Sequence, residues 1–366
     1  MTSMTPKQRV ESILRGEKPD KIPFTIYEKK LPQCTIEREL RNSGICIVRK
    51  RSVVKTHALN VSSESRTYWE KGIQYTRHTT KTPMGELFTI SRPAGFTTWR
   101  ISRIFKGPED YKKLMFLVKN QIFEPDYESF LKDEKMLGED FIQRAVVGAN
   151  PLHEIMVSWM GIETFAVEWA ERRDEIEKLY YAMAENLRKI FPIAARSPAL
   201  HANFGGNETG NVMGRERFAK YVIPLLNEVA DVFHRYGKFA GTHLDGNNKI
   251  WADLIRDCRL DYIEAFTPEP DTDMSLYEAF SIWQNKTVWI NFPSSVHLAT
   301  IPEIEKTAEK LINDSLPDNR LIIGITEDIP ENRWQENLLA ISRVIDRYPV
   351  QENQSSCYQS ETKQTD

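Results

Sequence analysis

Beyond Gly107 the chain repeats one rhythm, a stretch of helical periodicity followed by a short apolar run, and no other feature restricts its fold as tightly. Helical spacing covers about residues 108–120, 127–136, 172–191, 215–236, 249–258, 276–283, 302–315 and 334–347. Apolar runs of strand length lie at 141–147, 199–204, 239–243, 262–266, 288–292 and 321–325. Strands that alternate with helices form βαβ units, and their right-handed crossovers build a parallel sheet. Two further runs, 22–27 and 46–48, bring the strands to eight, which predicts an α/β fold of the (β/α)8 TIM-barrel type. An open dinucleotide-binding sheet is disfavoured, because no Gly-x-Gly-x-x-Gly follows any of these runs.

The chain opens with a short helix: Thr5 is an N-cap residue, Pro6 takes the first helical position, Gln8 completes a capping box, and Val10, Ile13 and Leu14 follow at helical spacing. Between about 46 and 105 the pattern changes to alternating β-prone residues, with 73–77 and 87–90 on either side of a Pro83-Met84-Gly85-Glu86 turn signal. This predicts an antiparallel β-hairpin excursion whose aromatics, Tyr68, Trp69 and Trp99 among them, suit a lid or wall as well as a plain surface. With no Pro/Gly-rich linker, 1–350 reads as a single domain, and the polar stretch 351–366 as a disordered tail.

At 366 residues, 40% hydrophobic and 28% charged, the composition is that of a soluble globular protein, and a formal charge of -3 leaves no basic footprint for nucleic acid. No apolar run is long enough to span a bilayer and the first fifteen or so residues lack the apolar core of a secretory signal, so the expected location is the cytoplasm. Cys34, Cys46, Cys258 and Cys357 are scattered without C-x-x-C spacing and read as ordinary thiols.

In such a barrel the chemistry gathers at the C-terminal ends of the strands. Several strands deliver polar groups there: Tyr27 and Glu28 after the first, Gly205-Gly206-Asn207-Glu208 after 199–204, His243 and Asp245 after 239–243, and Thr326-Glu327-Asp328 after 321–325, while Glu264 lies within its strand. An extended chain sends residues i and i+2 to one face, so His243 and Asp245 project together, and Glu327 is the candidate third ligand of a metal site with an open position. Taken alone, an H-x-D triplet is equally a polar turn with a hydrogen-bonded histidine. Glu208 is a fourth ligand, a general base, a substrate anchor or an exposed loop carboxylate. His201 and Asn203, on alternate positions of their strand, line the pocket or belong to the core. His153 heads a helical segment containing Trp159, whose ring is either substrate wall or core.

The order of these features resembles the uroporphyrinogen decarboxylase superfamily, which includes decarboxylases and corrinoid-linked methyltransferases. The resemblance runs from Thr5-Pro6-Lys7-Gln8-Arg9 through Pro83-Met84-Gly85-Glu86, the Arg217–Pro224 segment, Tyr236-Gly237-Lys238 and His243-Leu244-Asp245-Gly246-Asn247 to Asp328-Ile329-Pro330-Glu331-Asn332. The decarboxylase branch holds its many-carboxylate substrate with N-terminal arginines, and residues 24–32 contain none. The methyltransferase branch binds zinc through a His-x-Cys pair and a later Cys. Here His243 matches the histidine, and Asp245 and Glu327 stand near the places of the two cysteines.

A histidine with two carboxylates is a harder ligand set than thiolates and suits an ether oxygen. The resemblance therefore implies a zinc-dependent methyltransferase that demethylates a methoxylated aromatic compound and passes the methyl group to the Co(I) corrinoid of a partner protein. His243, Asp245 and Glu327 would hold the metal, Glu208 and Tyr27 would be catalytic, and Asn207, Asn203, His201 and Trp159 would bind substrate. A homodimer is also implied. The competing readings are a decarboxylase, a corrinoid methyltransferase with another donor (methylamine, methyl thiol or methanol), and a non-catalytic partner of a corrinoid protein.

Overall fold

Residues 3–95, 97–317 and 320–348 are described in this structure, a computed structural model. The expected tail, with Cys357, lies outside the described residues. Eight parallel strands close into a barrel: β1 (Phe24–Tyr27), β2 (Ile45–Ser52), β3 (Phe141–Gly148), β4 (His201–Phe204), β5 (Phe239–His243), β6 (Tyr262–Phe266), β7 (Thr287–Asn291) and β8 (Leu321–Ile325). Each pairs with its chain neighbour, and β1 pairs with β8 to complete the ring. The (β/α)8 expectation is met because the apolar runs are buried on both sides, as parallel strands under helices must be.

Alternation along the strands sorts side chains between two cores. Ile26, Ile47, Ile263, Ile290 and Ile323 face outward into the large cluster shared with the helices. Cys46, Val48, Ile142, Tyr262, Trp289 and Ile322 form a separate cluster inside the barrel. The opening helix, Pro6–Leu14, plugs the N-terminal end of this interior with Val10, Ile13 and Leu14. Its capping box is present as the sequence predicts, with the Gln8 N–H donating to Thr5 and the Thr5 N–H to Gln8. Large rings fit the narrow interior where the neighbouring strand carries glycine. A Cβ at Gly241 would stand 2.2 Å from the Tyr262 ring.

The antiparallel excursion leaves the barrel after β2. Its first strand, Val54–Ala58, pairs with Gln121–Pro125, and Ser62–Glu70, Ile73–Thr82, Gly85–Ala94 and Thr97–Ser102 form a four-stranded meander. The expected hairpin is thus the centre of a larger sheet. Its outer strands were not evident because their residues are mostly exposed and polar, which gives no apolar alternation. The expected helix 215–236 is interrupted: a π-helical turn, Phe218–Val222, precedes Ile223–His234, where Pro224 has no N–H to give to an α-helical ladder. Among the described residues no helix is long and apolar enough to cross a membrane.

Candidate active site

The cavity at the C-terminal mouth of the barrel has a volume of about 520 Å³ and is lined by residues from β1 to β5 and by the loops after β4, β5 and β8. Tyr27, Lys50, Arg144, Asn203 and His243 enter it from successive strands or their ends, each continuing the inward-facing parity of the apolar layer below. Polar side chains thus form the top layer of the same interior.

Glu264 is the centre of that layer and is 0% exposed. Arg144 Nη1 lies 3.0 Å from its Oε1, and the Tyr27 hydroxyl donates to the same oxygen. Oε2 meets His243 Nδ1 at 2.7 Å and accepts from Asn203 Nδ2 at 3.0 Å. Burial by itself would favour the neutral acid, but Arg144 and then His243 outweigh it and hold Glu264 well below the usual carboxylate range. A break in the strand register accompanies this crowding: pairing with β7 shifts between Glu264 and Phe266, and the intervening Ala265 adopts φ +59°. Left-handed backbone at a non-glycine residue is strained, and here it lies beside the most connected polar group of the barrel.

His243 is held at both nitrogens, with Asp245 Oδ2 3.3 Å from Nε2. Burial opposes its charge, yet Glu264 and Asp245 prevail and raise the imidazole to about 9. Asp245 is placed by its loop: Asn248, 1% exposed, donates through Nδ2 to the carbonyls of Leu244 at 3.1 Å and Gly246 at 2.7 Å, and accepts from the Trp251 indole at 2.8 Å. On the facing loop the Asn207 N–H donates to the His243 carbonyl at 3.0 Å, and Asn207 itself has φ +63°. Gly206, at φ +126°, admits this approach, since a Cβ there would lie 2.8 Å from His243 Cβ.

Glu208 follows directly and is 1% exposed. Its Oε2 accepts from the Gly206 N–H at 3.0 Å, while Oε1 has no hydrogen-bond partner. Burial therefore pushes this carboxyl up to about 7. A proton carrier is tuned in this way for work near neutrality.

The expected site residues separate into two groups. Tyr27, Asn203, Asn207, His243, Asp245 and Glu327 line the cavity, and Glu208 stands behind it. His201 lies one layer lower: its Nδ1 meets the Tyr262 hydroxyl at 3.0 Å, which in turn donates to Asn203 Oδ1 at 2.6 Å. That chain turns the Asn203 amide so that its NH2 faces Glu264. Burial lowers His201 to about 3, so it is neutral. Trp159 packs against the large outer core within the π-helical segment Glu154–Met160 and is not among the lining residues. His153 sits in a helical turn capped by Asn150.

The three expected zinc ligands do not converge as the side chains stand. Glu327 Oε2 accepts from the Ser294 hydroxyl at 2.6 Å, away from the His243–Asp245 pair. Among the described residues no group of three or more His, Cys, Asp and Glu side chains is arranged to hold a metal ion.

Arg144 and Lys50 were not anticipated as site residues, and Glu264 had no assigned role. A signal was present for two of them, because Arg144 and Glu264 are lone charges inside largely apolar runs, Phe-Ile-Gln-Arg-Ala-Val-Val and Tyr-Ile-Glu-Ala-Phe. Charges in such positions are almost never left unpaired.

No protein-family model matches the sequence, and no curated protein matches it. Among solved structures, a methyltransferase from Methanosarcina mazei aligns over 94% of this chain and 99% of its own, with 12% identity and a TM-score of 0.58. A catalytic module of a pneumococcal exo-β-D-N-acetylglucosaminidase aligns over 93% of this chain and 87% of its own, with 9% identity and a TM-score of 0.37. At these identities the first likeness shows a shared fold, and the second carries no argument.

Proposed function

We propose that this chain is a methyltransferase that removes the methyl group of a methoxylated aromatic compound and delivers it to the reduced cobalt of a corrinoid on a partner protein. The observation that carries this reading is the pairing, at the mouth of the barrel, of a proton-bearing carboxyl with a fixed charged cluster. Glu208 is pushed up to about 7 and has Oε1 without a hydrogen-bond partner, while Glu264, Arg144 and His243 are locked together beside it. The methyltransferase likeness of the fold adds to the reading.

Demethylating an aryl ether breaks one C–O bond and forms one C–Co bond. Cobalt(I) supplies the electron pair of the new bond, and the oxygen leaves with the pair of the old one. That oxygen is a poor leaving group until it is protonated, and two groups of this site hold a proton near pH 7: the His243 imidazole on the lining, raised to about 9, and Glu208 behind Gly205, pushed up to about 7, which is the acid this reading assigns to the oxygen. Tyr27, Asn203 and His243 are fixed by Glu264 and form a rigid wall against which the ring is oriented.

The test is spectroscopic. Purified protein, a panel of methoxyarenes and a corrinoid protein reduced to Co(I) are mixed, and conversion to methyl-Co(III) is followed together with release of the phenol. Conversion that depends on a methoxyarene supports the proposal. Conversion with methylamine, methanol or a methyl thiol only would replace the donor, and none with any donor would overturn it.

A further inference from the structure

The wall of the cavity formed by β1, β2 and β3 is cationic, and two of its cations are incompletely used. Lys30, Lys50 and Arg144 line it. Lys30 is committed to Asp328. Lys50 makes no hydrogen bond or ion pair among the described residues; its ammonium rests 3.6 Å from the centre of the Tyr27 ring. The neighbouring cations on β2, Arg49 and Arg51, are both engaged with Asp133, and Arg49 also with Glu28. Lys50 alone in this group of β2 faces the cavity without a carboxylate.

Arg144 is 2% exposed, yet neither Nε nor Nη1 makes a hydrogen bond of good geometry, although Nη1 lies close to Glu264. Glu264 answers Nη1 as a close ion pair rather than a well-aligned hydrogen bond, its oxygens also serving Tyr27, His243 and Asn203, and Nε has no acceptor. A buried guanidinium with idle N–H groups is costly unless an acceptor arrives. Thr326, also lining the cavity, has a buried hydroxyl without a partner. The two carboxylates on the lining are spoken for, Asp245 by His243 and Glu327 by Ser294. What the cavity lacks is an anion on the side of β2 and β3.

We propose that the substrate carries a carboxylate, which seats against Lys50 and Arg144 and so directs the opposite end of the molecule toward Glu208 and His243. This rests on the reading of the mouth as a small-molecule methyl-transfer site and names its substrate class, a methoxylated aromatic acid. A carboxylate is planar and takes two donors from a guanidinium or one from each cation, which gives orientation as well as affinity. A cavity of about 520 Å³ has room for one substituted ring between the two ends.

The experiment compares binding of 4-methoxybenzoate, its uncharged amide and methoxybenzene by calorimetry, without corrinoid, to wild type, Lys50→Met and Lys50→Arg, each checked for an unchanged melting curve. The acid is expected to bind wild type at least tenfold more tightly than the amide. Lys50→Met removes that preference and leaves amide binding as it was, and Lys50→Arg restores most of it. Equal binding of acid and amide by wild type, or an equal loss for both in Lys50→Met, overturns the proposal. The two proposals fail separately. Lys50-dependent binding of the acid with release of CO2, or with no methyl transfer, sinks the methyltransferase reading alone. Methyl transfer from methoxybenzene as fast as from the acid, unaffected by Lys50→Met, sinks the carboxylate site alone.

Discussion

Glu264 and Glu208 are both buried carboxylates at one end of the same barrel, and their surroundings drive them apart. Glu264 sits within the sheet, where cross-barrel neighbours on β1, β3, β4 and β5 surround it with an arginine, an imidazole, an amide and a phenol. Glu208 sits in the loop after β4 with one backbone N–H for company and an idle oxygen. The first is held charged far into acid; the second is pushed up to about 7. Equal burial therefore decides nothing by itself. The strand position supplies partners from across the barrel and fixes a charge, whereas the loop position withholds them and leaves a group that can carry a proton.

The largest effect expected from breaking this contrast is that of Glu264→Gln. It strands Arg144 without its counter-charge, and removing one member of a buried ion pair costs about 3–5 kcal/mol. Urea unfolding should show that loss, and the His243 imidazole should fall from about 9 toward its ordinary value in a proton NMR titration. A loss below about 1 kcal/mol would mean that Glu264 does not anchor the cluster.

Glu208→Gln should act in the opposite sense on stability. The folded state binds this proton more tightly than the unfolded chain, so the wild-type protein loses stability from this group as pH rises from about 4.5 to about 7. The penalty above that window is roughly 3 kcal/mol at 1.36 kcal/mol per pH unit. Gln carries no such penalty, so the variant should match wild type at low pH and exceed it by up to that amount near pH 8, while methyl transfer drops roughly 10²- to 10⁴-fold. Unfolding curves at the two pH values and the transfer assay check both halves. Asn203→Leu should have the smallest effect, about 1–2 kcal/mol, since it removes one of four contacts to Glu264 and an acceptor of Tyr262.

The barrel was legible because its strands are apolar runs between helices of regular period, and the position of His243 and Asp245 followed from period-2 alternation at a strand end. Tyr27 and Asn207 fall at the rim because they stand at or just after strand ends, whereas alternation along 199–204 leaves Asn203 open between pocket and core. Cross-barrel contacts were not legible: Glu264 meets Arg144 from β3, over a hundred residues away in sequence, and no local pattern relates them. Glu327 shows the converse. Its position after β8 is as expected, but which way its side chain turns depends on Ser294, on a different loop. His201 and Asn203 occupy alternate positions of β4, yet height along the barrel axis puts one against the cavity and the other beneath it, a distinction that period alone does not make.

The contrast between the two carboxylates is tested most directly by a carbon NMR titration of protein labelled at the glutamate carboxyls, with Glu208→Gln used to assign the resonance of Glu208. The account predicts a midpoint near 7 for Glu208 and a Glu264 carboxyl that remains ionised at the acidic limit of the folded protein. A Glu208 midpoint at the ordinary carboxylate value, or a Glu264 that takes up its proton before Glu208 does, would contradict it.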